Sequence, residues 1–151
     1  YKTITADIIG ATKFSLSTIT GLGSDDVRIS KRQSLSGKRL RGFEKGKVGP
    51  LDGTDHVGGN YAAALNFEAL LPNFLPEATK TDVGLFLDFG NVWGVDYDSL
   101  IDDSNKIRSS AGAVVNWNSP LGPMNFTLAT NISKASTDVT ESFNFNLGTT
   151  F

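Results

Sequence analysis

From Tyr61 onward, apolar and small polar residues alternate one by one, segment after segment, and a period of two permits little except β-strand. Tyr61, Ala63, Leu65, Phe67 and Ala69 share one face of the first segment, with Ala62, Ala64, Asn66 and Glu68 on the other. The next sets Val83, Leu85, Leu87 and Phe89 against Asp82, Gly84, Phe86, Asp88 and Gly90. A third sets Ile107, Ala111, Ala113, Val115 and Trp117 against Arg108, Ser110, Gly112, Asn116 and Asn118. A fourth sets Met124, Phe126, Leu128 and Ile132 against Asn125, Thr127, Ala129 and Asn131. The last, Glu141–Phe151, sets Phe143, Phe145, Leu147 and Phe151 against Ser142, Asn144, Asn146 and Gly148.

Such alternation fits a soluble sandwich, whose apolar faces form the core, as well as a membrane barrel, whose apolar faces meet lipid. Three features favour the barrel. The segments run about ten or eleven residues, the span of a tilted membrane strand, where strands of soluble proteins run about five or six. Short turns, such as Ser119-Pro120-Leu121-Gly122-Pro123, alternate with long polar loops such as Gly94–Lys106. The second face is Gly, Ala, Ser, Asn and Thr, which suits a hydrated lumen, and Tyr61, Phe89, Trp93, Trp117 and Phe151 are placed near strand ends as an aromatic girdle.

Ahead of Tyr61 the pattern is weaker. Tyr1–Ile9 reads as a strand rather than a leader, Gly10–Lys13 as a turn, and Phe14–Thr20 as a second strand. Gly21–Gly59 has no apolar periodicity, and a loop that long is expected to be functional or disordered. Within it, Arg39–Pro50 reads RLRGFEKGKVGP: Gly42, Gly46, Gly49 and Pro50 exclude a helix interior. Lys38, Arg39, Arg41, Lys45 and Lys47 are opposed only by Glu44. That stretch is either a solvated hairpin loop or a loop that folds back to place Arg41 against buried carboxylates.

Composition narrows the function. The 151 residues carry a net charge of −2, which gives no global attraction for nucleic acid. There is no cysteine, which removes disulfides and thiolate metal sites, and the single histidine, His56, argues against an imidazole metal centre or a Ser-His-Asp triad. No nucleophile–base pair or phosphate loop is recognisable, the acidic loop Gly94–Lys106 does not match a calcium loop, and no cofactor is expected.

Taken in order, RLRGFEKGKVGP, VGGNYAAALNFEALLP, GLFLDFGNVW, IRSSAGAVVNWNSPLGPMNFTLA and FNFNLGTTF resemble the C-terminal barrel of the BamA family of outer-membrane assembly factors. Leu40 stands where that family commonly has Val, and the resemblance weakens before Gly37. It implies an all-β fold: the C-terminal portion, about seven strands, of a larger, sixteen-stranded transmembrane antiparallel β-barrel in a Gram-negative outer membrane. The whole of 1–151 is then barrel, with an inserted loop at about 21–59 folded into the lumen. Arg41, Gly42 and Phe43 form the loop tip, and Glu68 and Asp88 become the wall partners of Arg41. Both carboxylates fall on the polar, inward face, and one guanidinium can bridge two carboxylates as a lysine cannot.

The resemblance further implies a lateral seam at which the last strand, with Phe143, Phe145, Leu147 and Phe151, accepts the strands of an incoming barrel protein by β-augmentation. Gly148 is its weak point, and the same strand doubles as a targeting signal. The implied partners are unfolded outer-membrane β-barrel substrates, accessory assembly lipoproteins and membrane lipid. No covalent chemistry is involved. The alternatives are a two-partner-secretion export pore, which shares the Arg-Gly-Phe loop, a passive porin, and, least favoured, a soluble carbohydrate-binding sandwich.

Overall fold

The structure, a computed structural model, describes residues 2–5, 8–23, 25–35, 37–101 and 105–148. Nine strands are present among them. β1 (Lys2–Thr5), β2 (Ile8–Thr18), β5 (Tyr61–Leu71), β6 (Thr81–Trp93), β7 (Arg108–Ser119), β8 (Gly122–Ser133) and β9 (Phe143–Leu147) form one antiparallel sheet in that order. The short hairpin of β3 (Leu51–Asp52) and β4 (Asp55–His56) lies apart from it, within the long loop. Each strand of the main sheet pairs with its neighbour in the chain apart from the loop hairpin, so the sheet is a meander with β1 and β9 at its two ends.

The polarity of this sheet is the reverse of a soluble core. Along β5 and β6 the buried positions are Ala62, Ala64, Asn66, Gly84, Phe86, Asp88 and Gly90, joined by Asn91 and Val92 at the end of β6. Phe14, Leu16, Leu85, Leu128 and Ile132 are all more than half exposed, on the opposite face. So broad an apolar surface requires a non-aqueous neighbour, and strands of 11 to 13 residues are long enough to cross a bilayer at a tilt. The chain is therefore the open, seven-stranded portion of a transmembrane β-barrel, apolar side to lipid. Tyr61 and Trp93, directly paired across β5 and β6, stack with centroids 5.6 Å apart at one strand end, and Trp117 lies near the end of β7.

Several expectations are corrected. β2 runs straight through Gly10–Lys13, where a turn was expected, because Gly10 pairs with Ala69 of β5 on one side and Lys2 of β1 on the other. A ladder on both sides overrides the weak strand preference of a lone glycine. β1 ends at Thr5 and β2 begins at Ile8. Phe89 lies inside β6 and packs edge-on against Phe67 rather than marking a strand end. β7 starts at Arg108, after Ile107, and Arg108, Ser109 and Ser110 are all buried; beside them the register against β8 shifts, Ser109 facing Ser133 and Ser110 facing Asn131, so that Ile132 is the extra residue. β9 stops at Leu147, because Gly148 adopts φ +111°, outside the range of a continuing strand. Phe151 lies outside the described residues.

Phe86 is the large apolar side chain that breaks the polar face. It sits opposite Gly112 on β7, where a Cβ would come within 2.8 Å of its ring. Glycine leaves the room in which that ring lies flat on the wall.

The reversed polarity has a direct test in the complete barrel protein. Leu128→Arg, near the middle of β8 on the lipid side, is expected to cost about 2–4 kcal/mol in reversible unfolding from vesicles. Asn125→Arg, on the lumen side of the same strand, is expected to stay within about 1 kcal/mol. Equal costs would mean that the faces are wrongly assigned.

Candidate functional site

The long loop is not a solvated hairpin. Leu35, Leu40, Phe43 and Val48 form a small apolar core with Ala62, Ala64 and Val92 of the wall, and Leu40 and Phe43 are almost fully buried. Alanines at 62 and 64 leave the space into which these loop side chains pack. The loop is stitched down by the Gln33–Gly59 bridge and by the Asn66 side-chain amide, which donates to the Arg39 carbonyl at 2.9 Å.

Arg41 reaches the wall from the end of this core. Its Nε and Nη2 donate to Oδ2 and Oδ1 of Asp88, both at 2.7 Å, and its Nη1 donates to Oε2 of Glu68 at 2.6 Å. The Arg41 backbone N–H adds a further bond to Asp88 at 3.1 Å. The guanidinium carbon lies 3.9 Å from the centroid of Phe86, so the cation rests on an aromatic face while its edge is shared by two acids. Asp88 is fully buried, whereas Glu68 retains about a quarter of its side-chain exposure. Burial disfavours the guanidinium charge, but bonding and attraction to Asp88, then Glu68, outweigh it and raise the Arg41 pKa. Arg41 therefore stays charged at any physiological pH.

Gly42 adopts φ +86°, and a Cβ there would approach the Ala129 Cβ to 3.0 Å and the Ser110 Cβ to 3.3 Å. Both its backbone angle and its contact with the wall call for glycine. The carbonyls at this turn are taken by the wall: Ser110 Oγ donates to Arg41, and Asn131 Nδ2 donates to Gly42 at 2.8 Å. Phe43, 2% exposed, is bridged antiparallel to Thr140, in the connection between β8 and β9. There the Glu44 N–H donates to the Val139 carbonyl, the Val139 N–H to Lys47, and the Glu141 N–H to Gly42.

Other parts of the site were not legible as such. Asp138 and Arg108, both fully buried, meet through paired bonds of 2.9 Å, and Arg108 also donates to Asn91 Oδ1 at 2.6 Å. Arg108 was placed on the polar face by phase alone; nothing in the sequence near Asp138 marks it as its partner. In the acidic loop after β6, read as solvated, Asp96 instead takes Arg32 Nη2 at 2.5 Å and the Val27 N–H at 2.8 Å. His56 contacts the Thr137 carbonyl at 3.0 Å through Nε2. A polar recess of about 400 Å³ lies beside the tip, between Arg41, Glu68 and Asn116, Asn125, Asn144 and Asn146. No group of three or more metal-ligating side chains occurs among the described residues.

The expected seam residues lie on β9. Phe143, Phe145 and Leu147 are exposed on the lipid side, in line with Leu128. β9 has five residues beside the twelve of β8. The Ala129 N–H donates to the Ser142 carbonyl and the Gly148 N–H to Pro123, so the even-numbered positions turn their main chain toward β8. By strand alternation, the N–H and C=O groups of Phe143, Phe145 and Leu147 point away from β8.

An apolar-out, polar-in meander with a loop pinned against its inner wall by an arginine defines the class: an outer-membrane β-barrel protein carrying a lumen-inserted loop. A family profile described as the Omp85 superfamily domain matches residues 1–151, and the chain belongs to that superfamily. It is similar to the outer membrane protein assembly factor BamA of Neisseria meningitidis serogroup B, 34% identical over an alignment of 141 residues that covers 74% of this chain and 17% of that protein. The BamA of Neorickettsia risticii is 29% identical over 136 residues, 88% of this chain and 18% of that one. Among solved structures, BamA from Haemophilus ducreyi lacking POTRA domains 1-3 superposes with a TM-score of 0.82 at 28% identity, over 94% of this chain and 32% of that one. The chain thus spans less than a fifth of the length of the curated relatives.

Two predictions follow from the geometry. In the complete protein, Arg41→Ala strands the buried Asp88 carboxylate and is expected to destabilise the barrel by about 3 kcal/mol. Double-mutant cycles should show stronger coupling to Asp88 than to the more exposed Glu68. Gly42→Ala should cost at least about 1 kcal/mol. Additive effects throughout would mean an undocked loop.

The second concerns acid. The Val27 N–H, with smaller help from Asn60 and Arg32, holds the Asp96 carboxyl below its usual pKa. A lowered folded pKa gives stability that is complete above about pH 4 and is lost as pH falls further. Proteolytic cleavage near Val27 should therefore accelerate only below about pH 4. Asp96→Asn should cleave faster at neutral pH and lose most of that acid dependence.

Proposed function

We propose that this chain is the C-terminal portion of the barrel of an outer-membrane protein assembly factor in a Gram-negative bacterium. The complete protein folds and inserts unfolded β-barrel substrates into the outer membrane, together with accessory lipoproteins, and breaks no covalent bond in doing so. The relatives' printed name, outer membrane protein assembly factor, supports the reading. So does the docked Arg41, which turns the loop from a mobile obstruction into part of the wall.

The observation that carries it is the edge of β9. In a membrane the main chain has no water to pair with, so a barrel closes its edges. Among the described residues β9, Phe143–Leu147, is the last strand of the sheet and pairs with β8 through its even-numbered positions. Its outward N–H and C=O groups at Phe143, Phe145 and Leu147 can template an incoming strand, while the apolar side chains at the same positions remain in lipid. Backbone pairing is indifferent to sequence, which suits a catalyst that must accept many substrates.

Proline scanning of β9 tests this in the complete protein reconstituted in vesicles. Phe145→Pro deletes an outward donor and leaves the pairing with β8, so substrate insertion should fall several-fold while the barrel stays folded. Asn144→Pro deletes a donor facing β8 and should loosen the barrel itself. If Phe145→Pro inserts substrates at the normal rate, strand addition at this edge is wrong.

A further inference from the structure

The outward face of the sheet is not evenly filled at its long-loop end. Strand register lays three rows of outward residues across β2, β5 and β6. Thr18, Tyr61 and Trp93 form the row nearest the loops, and Phe14, Leu65 and Phe89 form the lowest of the three. The row between them is Leu16, Ala63 and Asn91. Its centre carries only the methyl group of Ala63. Asn91 is drawn off the surface, because its Oδ1 accepts from Arg108 Nη1 at 2.6 Å and from the Val92 N–H at 2.9 Å, and the residue is 8% exposed. A slot of about 290 Å³ is left between the upper and lower rows, with Phe14 and Ile107 in its lining.

The place of the slot constrains what fills it. β2, β5, β6 and β7 are paired in succession around it, so no further strand of a larger barrel comes between them. It opens on the face that meets hydrocarbon, continuous with the exposed Phe14, Leu16 and Ile107. The stacked Tyr61 and Trp93 mark the membrane–water interface beside it. With Asn91 engaged by Arg108, the lining presents aliphatic and aromatic surface, and water there would lack the two or more partners it needs. An unfilled slot would forfeit the dispersion contacts of a close-packed neighbour. We infer that the slot holds one acyl chain of a membrane lipid, in the leaflet on the long-loop side, which is the outer one.

Selection in such a site is by shape. Lipid tails are as apolar as leucine, so no hydrophobic gain draws a chain inward, and the advantage over bulk lipid lies in closer packing. Ala63 sets the depth of the slot, and the rows of Tyr61–Trp93 and Leu65–Phe89 bound it above and below. The headgroup lies beyond the aromatic pair and is not read. An ordered chain here fixes the depth at which β5 to β7 sit in the membrane. The inference rests on the outward polarity of the sheet and is independent of the assembly reading, since the slot lies away from β9.

The test places the complete protein in vesicles containing a phosphatidylcholine with a diazirine part-way along one acyl chain. After irradiation, adducts are mapped by peptide mass spectrometry. Ile107 in the slot and Ile132 on β8 are the same residue type and are 65% and 62% exposed, so contact with bulk lipid alone labels them equally. A resident chain is expected to label Ile107 at least about threefold more than Ile132. Ala63→Leu fills the slot with an apolar side chain that a lipid-facing position accepts, and should bring Ile107 down to the level of Ile132. Equal labelling in the wild type, or an excess that survives Ala63→Leu, would overturn the inference.

Two further arms identify what is bound. The same diazirine chain carried on phosphatidylglycerol should give the same excess at Ile107. An excess confined to one headgroup would overturn the acyl-chain assignment in favour of a headgroup site. In mass spectrometry of the intact, detergent-purified protein, Ala63→Leu should retain one phospholipid fewer than the wild type. Equal retention would mean that no chain is held in the slot.

Discussion

A carboxylate with no solvent exposure in the wall of a barrel has to be matched, and Asp88 is matched by Arg41. The pair uses the flat fork of the guanidinium, with two side-chain bonds to Asp88 and a third to Glu68 from the remaining nitrogen. Leaving Asp88 alone would be costly, so the wall in effect requires the loop. Once Arg41 is placed, Gly42 is pressed on Ala129 and Ser110, Phe43 is carried to Thr140, and the chain between β8 and β9 acquires a partner.

The two faces of the sheet answer different solvents. The outer face must be apolar because its surroundings are hydrocarbon. The inner face must be small rather than merely polar, because a loop of nearly forty residues packs on it. Alanine at 62 and 64 and glycine at 84, 90 and 112 leave the depth that the loop core and Phe86 occupy. Phe86 on a lumen face would look misplaced in isolation; beneath the Arg41 cation it is the floor of the docking site.

The ion pairs of the long loop and its neighbours divide the work. Arg41 holds the tip to β5 and β6, Arg32 clasps the start of the loop to Asp96 after β6, and Arg108 holds Asp138 before β9. The first two restrain the loop against the wall and the third restrains the chain that leads into the edge strand. Main-chain bonds between residues 42–47 and 139–141 join these restraints.

Much of the fold was written in the period of the sequence. Strict alternation fixed β5 to β9 and the side on which Glu68 and Asp88 lie, because side-chain direction in a strand depends only on parity. Strand ends were less legible where local and long-range terms compete. Gly10 continues β2 because both neighbours pair with it, and the register between β7 and β8 shifts by one at Ser109–Ser110 although β7 keeps its phase against β6. Arg41 stood out by its company of glycines and cations, and its partners followed from resemblance together with phase. Asp138, Asp96 and the pairing of the loop tip with 139–141 carry no local signature, since each joins segments separated by 30 residues or more. The sequence alone therefore determined which faces meet lipid and which meet the lumen, a property of neighbouring residues. Only the tertiary structure decided what the loop touches, because those contacts depend on where distant strands bring their ends together.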